Sequence, residues 1–308
     1  MRRGMEIGMI GLGRMGGGMA DRLRRAGHRV VRYDPHAGSA SESGDAADPA
    51  GSERVDSLEA LVEALAPPRA VWIMIPAQSV DPTIDLLAPL IGHDDVLVDG
   101  GNSWYRDSAR RATALRSAGV HLLDVGTSGG VWGRTQGYSL MIGGDASAVE
   151  RLRPVFETLA PAPDAGWGRV GASGAGHFVK MVHNAIEYGM MQAYAEGFAL
   201  LDARTDLDLD PAHVANIWRT GSVIRSWLLD LLAGALEQDP ALSDVAPWVA
   251  DSGEGRWAVA ESIDLAVPMP VITLALQARF RSRTENSYAD RMLAVLRREF
   301  GGHEARPG

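Results

Sequence analysis

The segment HFVKMVHNAIEYGMMQ, residues 177–192, carries Lys180, His183, Asn184, Glu187 and Tyr188 at positions i, i+3, i+4, i+7 and i+8. On an α-helix, at ~100° per residue, these five side chains fall within an arc of roughly 140°. A lysine is a base when neutral and a glutamate an acid when protonated, while His, Asn and Tyr donate and accept hydrogen bonds. Val179, Val182, Ala185, Ile186 and Gly189 are apolar or small and share the opposite side. Two readings are open: a solvated face with a Lys–Glu pair, or a helix wall presenting a base, an acid and three hydrogen-bonding groups to a small polar ligand. A surface helix rarely sets such a mixture beside a nearly continuous apolar face. What precedes the helix decides between them.

The chain begins with an apolar run, residues 5–10, that ends at Gly11-Leu12-Gly13-Arg14-Met15-Gly16. A helical pattern follows, then a strand at 29–33 ending at Asp34. A lone GxGxxG is weak, but here it leaves a strand, opens a helix and is trailed by an acid in a βαβ unit. The glycines let the backbone approach a pyrophosphate, whose charge is favoured at the helix N-terminus. Asp34 is placed to accept hydrogen bonds from a ribose diol and to repel a 2′-phosphate, which predicts NAD over NADP, although Arg32 nearby could help a phosphate.

Residues 36–54 read as a variable connection. α/β alternation then resumes: a helix at 57–65, a strand from Ala70 to Ile75 with Pro76 and Ala77 at the sheet edge, a helix at 81–91, a strand at 95–99, a helix at 105–118 and a strand at 120–125. A last strand at 139–143 and one helix at 147–158 close this part. Ligands bind beyond the C-terminal ends of such strands. Ile75 and Pro76 therefore join Gly11, Gly13, Arg14, Met15, Gly16 and Asp34 as candidate cofactor neighbours. Two further loops leave strand ends there: Gly100-Gly101-Asn102-Ser103, and Gly126-Thr127-Ser128-Gly129-Gly130. Asn102 offers an amide to cofactor or substrate, and Ser128 with the Gly129 and Gly130 amides suits a carboxylate.

A Pro- and Gly-rich stretch at 161–168 marks a boundary between residues 1–168, a Rossmann NAD-binding domain, and residues 169–308, an all-helical substrate and oligomerisation domain with a C-terminal tail. The glycines at 171–176 read as packing residues. Helices are expected at 172–203, 211–220, 224–237, 257–265, 271–283 and 286–299. A length of 308 residues accommodates two such domains. Hydrophobic content of 46% with 22% charged residues is that of a globular protein. The net charge of −9 argues against a general nucleic-acid binder, and no apolar run is long enough to span a membrane. Cysteine is absent, which excludes disulfides and thiol catalysis and fits a cytoplasmic protein.

With GLGRMG, DGGNS, TSGG, GAGHFVKMVHNAIEYGMMQ, GEGRW, ARFRSR and FGGH assembled, nearly the whole chain resembles decarboxylating 6-phosphogluconate dehydrogenase, and the family's shorter, NAD-preferring branch in particular. The resemblance implies oxidation of 6-phosphogluconate to ribulose 5-phosphate and carbon dioxide, a pentose phosphate pathway reaction. It makes Lys180 the catalytic lysine and Glu187 the general acid. Lysine is charged at neutral pH, so the role requires an environment that favours the neutral amine. Asn102, Ser128, Gly129, Gly130, His183 and Asn184 match positions that hold the substrate carboxylate and hydroxyls. Tyr188, Arg256, Arg279 and Arg297 match phosphate-binding positions, where arginines suit a phosphate through bidentate contacts. His303 matches a tail histidine that the family lends to a neighbouring subunit, implying a homodimer or homotetramer. Arg256 stands where a lysine is usual, and Ala258 where a threonine usually assists the phosphate. No metal is implied, because no ligand cluster with metal spacing is present. The alternatives are a non-decarboxylating β-hydroxyacid dehydrogenase of the hydroxyisobutyrate type and a non-catalytic NAD-binding sensor.

Overall fold

A computed structural model describes residues 4–35 and 53–301, and divides the chain into two compact units, Met1–His183 and Asn184–Gly308. The first begins with β1 (Glu6–Ile10), α1 (Arg14–Arg25), β2 (Arg29–Tyr33), β3 (Glu53–Arg54), α2 (Leu58–Glu63), β4 (Ala70–Ile73), α3 (Ala77–Leu87), β5 (Val96–Asp99) and α4 (Tyr105–Arg116). It continues with β6 (His121–Ser128), α5 (Gly133–Gln136), β7 (Ser139–Gly143), α6 (Ala146–Arg151), α7 (Arg153–Leu159) and β8 (Trp167–Gly171). The strands form one sheet in the order β3-β2-β1-β4-β5-β6-β7-β8, parallel except where β7 runs against β6. This is a Rossmann arrangement. The strand order reverses between β1 and β4, and the glycine loop after β1 opens at that switch point.

Parallel strands covered on both faces read as continuous apolar runs. Ile7, Met9, Trp72, Val98 and Val125 fill one face, and Ile10, Val31, Val71, Ile73 and Leu97 the other. Phe156 of α7 meets Trp72 edge-on at 6.0 Å and stacks on Trp167 of β8 at 5.7 Å. That contact holds the far edge of the sheet.

Four local expectations are corrected. Residues 53–54, assigned to the connection, form β3 beside β2. β8 is an eighth strand lying across the expected boundary stretch; its two glycines and exposed edge position hide any alternation. The single helix at 147–158 is two, α6 and α7, broken at Leu152 with Pro154 in the first turn of α7. α3 starts at Ala77, directly after Pro76, earlier than the apolar spacing suggested.

α8 (Ala175–Asp202) runs for 28 residues through the division between units. The second unit adds α9 (Pro211–Arg219), α10 (Trp227–Gln238), α11 (Glu254–Asp264), α12 (Pro270–Arg281) and α13 (Tyr288–Gly301). Asp210 caps α9 by accepting the N–H groups of Ala212 and His213, and Ser226 caps α10 at Leu229. Leu229, Ala233 and Leu236 of α10 bury against Ala215 of α9, with Phe198 of α8 edge-on to Trp218 at 5.6 Å. A second cluster packs Tyr188 of α8 on Ala275 and Leu276 of α12. The expected apolar side of α8 is only partly its buried side: Ala185 and Gly189 are buried and Val179 is half-buried, but Val182 and Ile186 are exposed, and Met181 and Tyr188 outside that set are buried. Helical spacing sorts side chains by polarity but does not say which direction the neighbouring chain covers.

Candidate active site

The glycine loop is shaped to receive an anion. Gly11 holds φ +88°, and a Cβ there would lie 2.4 Å from the Met74 carbonyl and 2.8 Å from Ile75 Cγ2. A Cβ on Gly16 would sit 2.0 Å from the Gly11 carbonyl, so α1 closes onto the strand only with glycine in that place. Around Gly13 there is open space, and α1 starts with no side-chain cap and no acidic residue in its first turn. First-turn N–H groups without side-chain acceptors, in an open glycine cradle, fit a dinucleotide pyrophosphate. Asp34 Oδ2 accepts the Leu12 N–H at 2.7 Å, so the carboxylate just past the end of β2 fixes the glycine loop. Arg14 is exposed and Met15 half-buried at the start of α1; Ile75, just past the end of β4, borders the loop at Gly11, and Pro76 leads into α3.

The Asn102 loop rests on a buried charge network. Asp99, 0% exposed at the end of β5, accepts the Gly101 N–H at 3.1 Å and the Ser103 hydroxyl at 2.7 Å. Arg111 of α4 donates to Asp99 at 3.1 Å and reaches Asp81 of α3 with two further nitrogens at 2.8 and 3.1 Å. The Arg111 guanidinium, opposed by partial burial and aided by Arg110, holds the Asp81 carboxyl down at about 2. Asn102 itself is exposed at the tip. Sequence reading missed Asp99 and Arg111 as supports, since nothing local links residues on a strand end, a loop and a following helix.

Ser128 ends β6, and the positive φ of Gly129 (+121°) and Gly130 (+52°) turns the chain away from the strand. Ser128 Oγ lies 3.2 Å from His183 Nε2, and His183 Nδ1 lies 3.5 Å from Lys180 Nζ. A hydroxyl from the end of β6 and an imidazole and an amine from α8, with Ser128 and His183 55 positions apart, thus form one row. Either proton arrangement on the ring is compatible with it, so the row can orient a hydroxyl-bearing ligand in either protonation state of the amine.

In the second unit Asn184 Nδ2 donates to Glu254 Oε1 at 2.8 Å. Tyr188 is 6% exposed, with its hydroxyl 3.3 Å from Ser252 Oγ. The Arg279 guanidinium lies 3.5 Å over the Tyr188 ring while Nη1 donates to the Ala250 carbonyl at 2.7 Å. Arg256 is held by Asp251 at 2.5 Å and lies 4.4 Å over Phe280. Arg283, the last residue of the ARFRSR motif but not among the expected phosphate positions, comes within 3.6 Å of the same Asp251 carboxylate. Burial works to raise the Asp251 carboxyl, and the hydrogen bonds it accepts from Arg256 and from the Gly253 N–H outweigh this, so the group is held below its ordinary value. Asp251 is therefore a missed residue; the Asp-Ser-Gly turn ahead of α11 is the signal that could have found it. Ala258 is buried in α11. Arg297 is exposed on α13. Glu187 is half-buried on α8, seven positions after Lys180 and so about two turns away on the same side of the helix. His303 lies outside the described residues.

Both parts of the chain match known families. Residues 6–170 match the NAD binding domain of 6-phosphogluconate dehydrogenase, and residues 176–299 match the 6-phosphogluconate dehydrogenase C-terminal domain. An NAD(+)-dependent, decarboxylating 6-phosphogluconate dehydrogenase of Haloferax volcanii is 46% identical over 303 residues, covering 97% of this chain and 98% of that enzyme. An NADP(+)-dependent, decarboxylating enzyme of Bacillus subtilis is 34% identical over 287 residues, covering 90% of this chain but 61% of that longer protein. The solved 6-phosphogluconate dehydrogenase of Plasmodium falciparum superposes with a TM-score of 0.80 at 26% identity, covering 98% of this chain and 66% of that one. Matched along both units and at nearly full length, the chain belongs to the decarboxylating 6-phosphogluconate dehydrogenase family.

Proposed function

We propose that this chain oxidises and decarboxylates 6-phosphogluconate to ribulose 5-phosphate and carbon dioxide, with NAD preferred over NADP. The observation that carries the reading is the Ser128–His183–Lys180 row, which sets an amine beside two hydroxyl-recognising groups. NAD, held by Gly11, Gly13, Arg14, Met15, Gly16 and Asp34 with Ile75, Pro76 and Asn102 alongside, supplies the two-electron acceptor. Lys180, as the neutral amine, takes the proton of the substrate C3 hydroxyl as that carbon is oxidised to a ketone. The ketone is β to the carboxylate, so the bond to the carboxyl carbon breaks with its electron pair flowing toward the carbonyl, leaving an enediol. Lys180, now protonated, donates a hydrogen bond to the oxygen that gains charge. Glu187 delivers a proton to the carbon that becomes C1 of the product. Ser128 with the Gly129 and Gly130 amides, Asn102, His183 and Asn184 hold the carboxylate and hydroxyls. Tyr188, Arg256, Arg279 and Arg297 hold the phosphate, where always-charged, forked donors match its oxygens.

The NAD preference rests on Asp34, whose carboxylate closes the β2 end against a 2′-phosphate. A homodimer or homotetramer, with His303 of the tail serving a neighbouring site, is part of the same reading. Exposed Leu293 and Leu296 on α13 give that tail an apolar face of the kind subunits cover. A spectrophotometric assay with carbon dioxide trapping tests the reaction. Equimolar NADH and carbon dioxide from 6-phosphogluconate is expected. NADH without carbon dioxide, obtained from a β-hydroxyacid instead, would return the chain to non-decarboxylating chemistry, and absence of turnover with either would leave a binding protein.

A further inference from the structure

The start of α8 is seated by groups that the reaction above does not use. Asp124 of β6 is 1% exposed, and its carboxylate oxygens accept two backbone N–H groups at the start of α8: Oδ1 from Gly174, the residue before the helix, at 2.7 Å and Oδ2 from His177 of its first turn at 2.9 Å. A helix start commonly satisfies these two donors with its own side chains. Gly174 has none to offer, so a carboxylate from a strand 50 positions earlier does both tasks. His177, 2% exposed, is pinned on its other side by Ser108 of α4, whose hydroxyl lies 2.7 Å from Nδ1.

The backbones meet without side chains between them. A Cβ on Gly176 would lie 2.2 Å from the Asp124 carbonyl, one on Gly143 2.5 Å from the Asp124 carboxylate, and one on Gly126 2.4 Å from Lys180 Cβ. The last of these is the point of the joint. Lys180 leaves the helix directly over the strand that carries Asp124, two residues along. Cα atoms lie about 2.3 Å from a helix axis and a lysine reaches roughly 6 Å further, so a rotation of about 10° displaces the amine by more than ~1 Å. Misplacement on that scale is worth up to ~100-fold in rate.

We propose that Asp124 is the positioning residue for the Lys180 amine: it fixes the rotation and height of α8 by taking the N–H groups of Gly174, just before the helix, and His177, in its first turn, with Ser108 holding His177 as the second anchor. The proposal rests on Lys180 being the base. The test uses the full-length chain with Asp124→Asn, Ser108→Ala and, as control, Lys180→Met, assayed with NAD and with 6-phosphogluconate carrying deuterium on the oxidised carbon.

Asp124→Asn keeps the shape of the side chain but turns an amide N–H toward one of the two donors. The expected result is a folded protein with NAD affinity within about threefold of wild type, KM for 6-phosphogluconate within about threefold, and kcat lowered about 10–100-fold. The deuterium isotope effect on kcat should rise, because hydride transfer from a misplaced complex becomes more rate-limiting. A merely structural role lowers the active fraction and leaves that effect unchanged. Should Asp124→Asn not fold, Ser108→Ala decides, with a several-fold loss of kcat and the same isotope signature expected. A kcat within twofold of wild type, or a loss with an unchanged isotope effect, overturns the proposal. Robust turnover by Lys180→Met instead overturns the assignment of the base, whereas an inactive Lys180→Met beside a fully active Asp124→Asn overturns the positioning role alone.

Discussion

Arg111→Met probes the network beneath the Asn102 loop. The guanidinium is 3% exposed and joins Asp99, 0% exposed, to Asp81, 43% exposed. Methionine keeps much of the stem and removes the charge. Breaking a buried ion pair by deleting one partner costs about 3–5 kcal/mol. Asp99 retains the Gly101 N–H and the Ser103 hydroxyl, which sets the expected loss from that side near the lower end, about 3 kcal/mol. The Asp81 carboxyl is depressed from 3.8 to about 2. That shift is nominally ~2.4 kcal/mol, but at its exposure solvent screening leaves about 1 kcal/mol or less, part of which Arg110 preserves.

Urea unfolding at pH 7 should therefore show Arg111→Met about 3–4 kcal/mol less stable than wild type. Asp99→Asn combined with Arg111→Met should recover a substantial part of the loss, since no buried charge is then left unpaired. A single-variant loss below about 1 kcal/mol, or a double variant weaker than the single, would refute the reasoning. The pH dependence has a fixed sign. A depressed carboxyl stabilises fully above the unfolded value of 3.8 and loses that contribution as pH falls through about 2. The Asp81 part of the difference between wild type and Arg111→Met should shrink across that interval.

Three further outcomes are expected. His28 accepts the Met5 N–H at Nδ1 and meets the Thr158 hydroxyl at Nε2, and burial pushes its pKa below the ordinary 6.5. The unfolded chain therefore binds the proton more readily, so stability should fall as pH drops below about 6.5; an equal pH 7.5-to-5.5 change in Tm for wild type and His28→Asn would show that this ring does not contribute. Asp34→Ala removes the proposed ribose acceptor together with the Leu12 anchor, so the NAD/NADP ratio of kcat/KM should drop about tenfold or more, and an unchanged ratio would remove Asp34 as the discriminator. Arg279→Met should raise KM for 6-phosphogluconate about 10–100-fold while sparing KM for NAD, as loss of a charge-assisted contact requires; a KM within twofold of wild type would dissociate Arg279 from the phosphate.

What could be read from the amino-acid order was what depends on neighbours along the chain. The glycine spacing at 11, 13 and 16 reports a turn with positive φ followed by a helix start, and both are local events. Lys180 and Glu187 share a helix side because seven positions nearly complete two turns. Most of the alternation of strands and helices through residue 143 was visible for the same reason; it failed at the two-residue β3, inside the expected connection, and at β8, where an edge strand rich in glycine carries no pattern.

Tertiary structure decided everything that needs the chain to return to itself. Asp124 meets His177 across 53 positions, Arg111 joins strand end to neighbouring helix, and Arg283 reaches Asp251 beside Arg256. Periodicity marked Val182, Ala185 and Ile186 as apolar, yet of these only Ala185 is buried, beside Met181 and Tyr188, because which side of a helix is covered is set by the elements that pack on it. Sequence names the groups and their order on each element. The distances between elements, and so the charges each side chain feels, arise only when close packing brings distant segments to within a hydrogen bond of one another.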